Sequence, residues 1–218
     1  GTLSRPGPAL DWVIGQRTLT GRALRRSLDE ATVGWLRALW ADAVAGLTDD
    51  PSEEGKRAGA SNVALVGVGG TGRGDRAPGS DLDLIIVYDE RVGDPPPAAM
   101  VDALWYPVWD SGIGLGHALR SIGGFLELAD ADLDTATSLF SLRHLAGDRA
   151  VTDRLQTAAE GQRSRLGSQW MRRLVDRTEQ RHRRCGEVAH ELEPDLKEGR
   201  GGLRDVHTLG WIETLGSP

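Results

Sequence analysis

Two acidic residues spaced two apart, Asp81 and Asp83, stand directly behind a glycine-rich run, Gly69–Ser80 (GGTGRGDRAPGS). Side chains alternate along a strand, so this spacing predicts both carboxylates on one face, with Leu82 and Leu84 turned to the core. A carboxylate pair suits a hard divalent cation such as Mg²⁺. The glycines ahead of it let backbone N–H groups come close to phosphate oxygens. A brief helix start after Gly70 would add its positive end. Cation and phosphate cradle together imply nucleotidyl transfer, in which a hydroxyl attacks the α-phosphate of a nucleoside triphosphate and pyrophosphate leaves. The plainer alternative is a pair of solubility charges on a solvated strand face.

Two better-known phosphate motifs do not account for the run. It holds no lysine and no Gly-x-x-x-x-Gly-Lys-Ser/Thr, which excludes that type of phosphate loop. Gly67, Gly69 and Gly72 match Gly-x-Gly-x-x-Gly behind an apolar stretch, and Asp89 ends the next one, as in dinucleotide-binding folds. That fold needs a packed helix between two parallel strands. Residues 73–80 contain Gly74, Pro78 and Gly79. They are too few for a parallel crossover, which takes about a dozen residues or more.

The elements that must hold these residues follow from apolar periodicity. Residues 10–48 carry Leu24, Leu28, Ala31, Trp35, Leu36, Leu39, Trp40 and Val44 at helical spacing. Residues 48–59 are polar, with Pro and Gly, and read as a loop. Short β-prone runs occupy 62–68 and 81–88. After Pro95–Pro97 the pattern predicts a helix over 98–109, a strand over 113–119 and helices over 122–128 and 136–145. One long helix or a broken pair follows over 151–192, then a turn with Gly199, Gly201 and Gly202, then a helix over 203–215. The expected fold is α+β (α/β): a small mixed β-sheet flanked by helices. The expected division is an N-terminal helical segment and loop (1–59), a core (60–150) and a helical segment (151–218) leading toward a further C-terminal part.

The run from Gly69 to Asp89 resembles the Gly-Gly/Gly-Ser…Asp-x-Asp signature of the DNA polymerase β-type nucleotidyltransferase superfamily. More narrowly, the chain resembles the bacterial protein-PII uridylyltransferase family in four ordered blocks spanning roughly residues 60–211. These are the glycine run with Ser80, Asp81 and Asp83; Trp109-Asp110 with Gly116-His117-Ala118-Leu119-Arg120; Thr137-Ser138-Leu139 through Arg143 and Gly147-Asp148; and Glu193–Gly199 with Gly201–His207. The resemblance implies a polymerase β-type core that transfers UMP from UTP, or AMP from ATP, to a tyrosine of the trimeric nitrogen-signalling protein PII. It implies that Asp81 and Asp83 are catalytic and bind Mg²⁺, two ions in all, and that Gly69, Gly70, Arg73 and Ser80 bracket the phosphates. A phosphohydrolase domain and sensor domains of the family have no counterpart in this sequence. Thr71 stands where relatives carry an aromatic residue, which bears on packing more than chemistry. Ser141 stands where many carry an acid, and Asp110, Glu127 and Asp134 are candidates for a third carboxylate. That departure keeps a second reading open, a catalytically weak nucleotide-binding regulatory module. A small-molecule nucleotidyltransferase is a third.

Other singled-out residues have plainer expected roles. His117 reads as a core histidine. The Gly201–Asp205 stretch reads as a helix cap, with Arg204 and Asp205 as surface charges. Residues 161–190 hold eight arginines against three acids and read as a solvated basic face, with a dock for an acidic partner or nucleic acid as the alternative. Cys185 reads as incidental. The 218-residue chain is 39% hydrophobic and carries a formal net charge of −6. That supports a packed core and argues against broad nucleic-acid binding. No apolar run approaches a membrane span, Gly1–Pro8 shows no leader pattern, and the single cysteine excludes an internal disulfide. The expectation is a cytoplasmic catalytic piece of a longer enzyme. Glycine, at 29 residues, is in excess, and five of these fall within 67–74.

Overall fold

The strand β1 (Val63–Gly67) is buried along its whole length, because it runs between two other strands of the sheet. A computed structural model describes Gly15, residues 20–47 and residues 61–216. The expected loop over 48–59 and residues 10–14 and 16–19 of the expected N-terminal helix lie outside the described residues. The chain divides into two compact units, one of Gly1–Phe125 with Ser141–Gln156, the other of Leu126–Phe140 with Thr157–Pro218.

In the first unit, α1 (Gly21–Ala45) precedes β1, followed by α2 (Gly69–Arg73), β2 (Leu82–Tyr88), α3 (Ala98–Asp110), β3 (Leu115–Ser121) and β4 (Arg143–Gly147). The strand order is β3-β2-β1-β4. β1 pairs antiparallel with β2, from Val63 opposite Tyr88 to Gly67 opposite Leu84. The chain therefore turns back after the glycine run, which removes the dinucleotide reading: no parallel crossover joins β1 to β2. β2 and β3 are parallel, and α3 lies in the connection between them. The sheet is mixed, as expected.

One face of the sheet carries the core. Leu65, Leu82, Leu84 and Ile86 pack with Leu36, Leu39 and Trp40 of α1 and with Met100, Leu104, Trp105 and Val108 of α3. Their three-and-four spacing on each helix presents one apolar stripe to the strands. The strand period of two puts Asp83 on the opposite face, with Ile85 and Val87.

Residues 136–145 depart from the expected single helix. α5 (Leu133–Ser138) ends in a 3₁₀ turn at Leu139–Ser141, and Arg143–Gly147 forms β4. Leu139, Leu142 and Leu145 have helical spacing, but the unfilled edge of β1 takes Arg143 and His144 opposite Gly67 and Val66. Arg143 donates two hydrogen bonds to the Asp29 carboxylate, at 2.8 and 2.9 Å, tying this edge to α1. Tertiary partners override the local pattern there.

α4 (Ile122–Ala131) and the long α6 (Arg149–Cys185) each begin in the first unit and continue into the second. The second unit also holds α5 and α7 (Leu203–Gly216). Trp170 is fully buried there, tilted against Phe140. The stretch between α6 and α7 is irregular, with Gly186 and Gly201 at positive φ. Asp205 is not the surface charge expected of it. It accepts hydrogen bonds from Arg181, from His182 Nε2 at 2.8 Å and from the Gly201 N–H at 2.7 Å. Burial alone would raise its pKa, but these donors hold the carboxyl well below the ordinary range. Among the described residues, no helix is long and apolar enough to cross a membrane.

Candidate active site

The glycine run folds as a one-turn helix, α2, leaning on the start of β2. The joint between them is backbone-specific. Thr71 is buried, and its Oγ1 accepts the Asp83 N–H at 3.0 Å, while the Val68 N–H donates to the Asp83 carbonyl at 3.1 Å. Both backbone groups of Asp83 are thus held, and its side chain has a fixed root. Thr71 serves packing and backbone geometry, in line with the expectation.

Glycine clears the space around both acids. Gly69 sits at φ +53, a conformation that favours glycine, and a Cβ there would lie 2.7 Å from Asp83 Oδ2. Gly116, opposite Asp83 in the β2–β3 register, would bring a Cβ to 3.0 Å from Asp83 Oδ1. Gly114, two residues earlier, would bring one to 2.7 Å from Asp81 Cγ, with Oδ1 closer still. Gly114 and Gly116 share a face by strand alternation, so Asp81 and Asp83 lie side by side over the same edge of β3. Leu82 and Leu84 between and beyond them are buried on the core side. The alternation expected of residues 81–84 is the one observed.

The remaining predicted residues are placed differently. Gly70 is open, with nothing nearer than 3.5 Å to a Cβ built there. Arg73 is exposed and paired with Asp75 at 2.8 Å. Ser80 Oγ accepts the Ala77 N–H at 3.3 Å, closing the turn that leads into Asp81. A cation that feels the charge of both acids, Arg76, has no role in the sequence reading. Arg76 donates to the Ser80 carbonyl at 2.6 Å and to the Asp81 carbonyl at 3.1 Å. Burial lowers its pKa, and Asp83, Asp29 and Asp81 work against that shift. The only signal for it was a basic residue inside a glycine turn.

Of the sequence candidates for a third acid, Asp110 shares the first unit with the pair, and Glu127 and Asp134 belong to the second. Asp110 is exposed at the end of α3, Glu127 is exposed on α4, and Asp134 pairs with Arg177 at 2.7 Å within the second unit. The Ser141 carbonyl packs directly on Gly72, so Ser141 contributes backbone there. His117 is not a core histidine. It is exposed, with its ring tilted against Trp105 and edge-on to Trp109, ring centroids 5.4 and 5.2 Å away. Asp89 is buried and held by Arg91 and Arg154, a structural role.

Among the described residues, no group of three or more His, Cys, Asp or Glu side chains forms a metal cluster. Two carboxylates nonetheless suit Mg²⁺, which commonly takes one or two from the protein and completes its shell with water and substrate phosphate. The donor set of Asp81 and Asp83 fits such an ion, and the glycines around it make room for the carboxylates.

A family model described as GlnD PII-uridylyltransferase matches residues 169–216. A bifunctional uridylyltransferase/uridylyl-removing enzyme of Mycobacterium tuberculosis (strain H37Rv) is 41% identical over 209 residues, covering 94% of this chain and 25% of that protein. A protein of the same name from Streptomyces coelicolor is 42% identical over 190 residues, 87% of this chain and 21% of its own. One from Gluconobacter oxydans is 43% identical over 154 residues, 69% and 16% of the two chains. The chain spans a quarter or less of the length of these curated relatives.

Proposed function

The chain belongs to the PII-uridylyltransferase family, and we propose that it carries the family's transferase chemistry: UMP, or AMP, passes from the nucleoside triphosphate to a tyrosine hydroxyl of the PII protein, with release of pyrophosphate. The reading rests above all on Asp81 and Asp83, side by side at the start of β2, where Gly69, Gly114 and Gly116 make room for their carboxylates.

In this reading Asp81 and Asp83 would hold Mg²⁺, which would supply electrostatic stabilisation to the transferring phosphate. The open backbone at Gly69 and Gly70 lets the triphosphate come within hydrogen-bond range of main-chain N–H groups. Arg73 exchanges its exposed Asp75 partner for a phosphate oxygen, at little cost because such pairs contribute about 0–1 kcal/mol. Ser80 and Arg76 hold the turn that aims Asp81. Positioning and electrostatic stabilisation of the α-phosphate carry this kind of chemistry. The PII trimer is the protein substrate, and the cytoplasm is the compartment.

The test is transfer of labelled UTP, and in parallel ATP, onto a PII protein in the presence of Mg²⁺. Wild type labels PII, and the Asp81→Ala/Asp83→Ala variant does not. Equal labelling by the two proteins would sink the assignment. The lack, among the described residues, of a group of three or more acidic or histidine side chains favours one other reading, a nucleotide-binding module without transfer. Calorimetry with a nonhydrolysable UTP analogue would then show Mg²⁺-dependent binding while no labelled PII forms.

A further inference from the structure

We propose that the second unit holds a binding site of its own, for a small polyanion bearing two or more phosphate or carboxylate groups. The site is a cavity of about 360 Å³ bounded by α5, α6 and α7, a volume suited to a small ligand. Four guanidinium groups face it: Arg177, Arg181 and Arg184 from one side of α6, at intervals of four and three, and Arg204 from α7. Its lining has only two acids, Asp134 and Glu198. Arg177, Arg181 and Arg204 each have one carboxylate partner, so the cluster of four guanidinium groups keeps one positive charge in excess, at Arg184.

The four arginines are not equivalent. Arg181 is the fixed wall. Its side chain is 7% exposed, bound to Asp205 and to the Glu198 carbonyl at 2.7 Å. The others are available. Arg177 meets Asp134 at 2.7 Å, but the two side chains are 51% and 70% exposed, which makes the pair weak and replaceable. Arg204 meets Glu198 at 3.0 Å and lies over the Trp211 ring, 6.0 Å from its centroid, so its plane is already oriented. Arg184 makes no carboxylate ion pair among the described residues; its largest electrostatic partner is the Cys185 side chain, with Glu198 a weaker one. Guanidinium forks bind carboxylate and phosphate bidentately, and Asp134 on Arg177 shows one subsite accepting a carboxylate. The basic strip expected to be a solvated face, or a dock for a macromolecule, thus turns three of its eight arginines toward a partly open pocket of a size that admits a small molecule.

The experiment is calorimetry on the chain carrying Asp81→Asn/Asp83→Asn, in buffer freed of divalent metal by a chelating resin, so that the site in the first unit is disabled. Pyrophosphate and citrate serve as the probes for the two oxyanion chemistries. The expected result is saturable binding of at least one probe at one site per chain. It weakens by about tenfold or more in Arg177→Gln/Arg184→Gln, as loss of charge-assisted hydrogen bonds predicts. Arg184→Gln alone, which disturbs no carboxylate pair, weakens it severalfold with an unchanged melting curve. No saturable heat up to about 10 mM of either probe, a range that reaches well past millimolar affinity, overturns the proposal. So does an affinity that the folded Arg184→Gln and double-Gln variants leave unchanged.

Discussion

Gly114→Ala separates the position of an acid from its presence. A Cβ at Gly114 would lie 2.7 Å from Asp81 Cγ. Carbon atoms rest at about 3.5–4.0 Å, so the carboxylate must withdraw by roughly 1 Å. It can do so, because Asp81 is exposed and its side chain can turn toward solvent. The fold is then spared, with a stability change within about 1 kcal/mol, but the carboxylate no longer lies beside Asp83. A misplacement of about 1 Å at a reacting centre costs about a hundredfold in rate. Gly116→Ala is the matched control. Its Cβ would lie 3.0 Å from Asp83 Oδ1, a gap that closes with a few tenths of an ångström of movement, so the loss stays within about tenfold. The assay is kcat for labelled UMP transfer to PII, with thermal melts to confirm that each variant folds. A folded Gly114→Ala protein transferring at the wild-type rate would refute the reasoning, because the placement of Asp81 would then be irrelevant to catalysis.

Gly72→Ala drives a methyl into the Ser141 carbonyl, which is backbone and cannot rotate away. It should cost about 2–3 kcal/mol and lower Tm by roughly 5–10 °C in a scanning melt. Gly70→Ala, with nothing nearer than 3.5 Å, should leave Tm unchanged or raised while weakening nucleotide binding. Asp205→Asn leaves the buried Arg181 short of its charged partner, and urea unfolding at neutral pH should show a loss of about 2–3 kcal/mol. The native pKa of Asp205 is depressed, so its stabilisation is whole above about pH 4, the unfolded carboxyl value, and drains away as pH falls below that. The gap between wild type and Asp205→Asn should therefore narrow on acidification. Arg143→Gln and Asp29→Asn should each destabilise the first unit, and the double variant should lose less than their sum, with a coupling of about 1–2 kcal/mol in a double-mutant cycle.

Much of this was legible in the chain because it depends on short-range rules. The run from Val63 to Val68, the break at Pro95–Pro97 and the apolar stripes of α1 and α3 announce their own periods. What periodicity missed was decided by a neighbour. Arg143–Gly147 has a helical apolar spacing, yet it becomes β4 because the edge of β1 offers ladder hydrogen bonds and Asp29 anchors Arg143. His117 was expected in the core because it lies on a strand, but β3 is an edge strand and leaves it exposed, with its ring against Trp105 and Trp109.

The same division runs through the site. Residue type and a spacing of two determined that Asp81 and Asp83 share a face, because strand alternation is a property of the backbone alone. The glycine run likewise declared close backbone approach through its composition. Only the tertiary structure decided what surrounds the acids. Gly114 and Gly116 arrive from another strand through the parallel register, Arg76 turns back onto the Ser80 and Asp81 carbonyls, and Thr71 locks the Asp83 N–H. The arginines of α6 show the same limit. Their intervals were visible as a basic strip, but whether that strip met water or a cavity depended on where α5 and α7 pack, which no local spacing encodes.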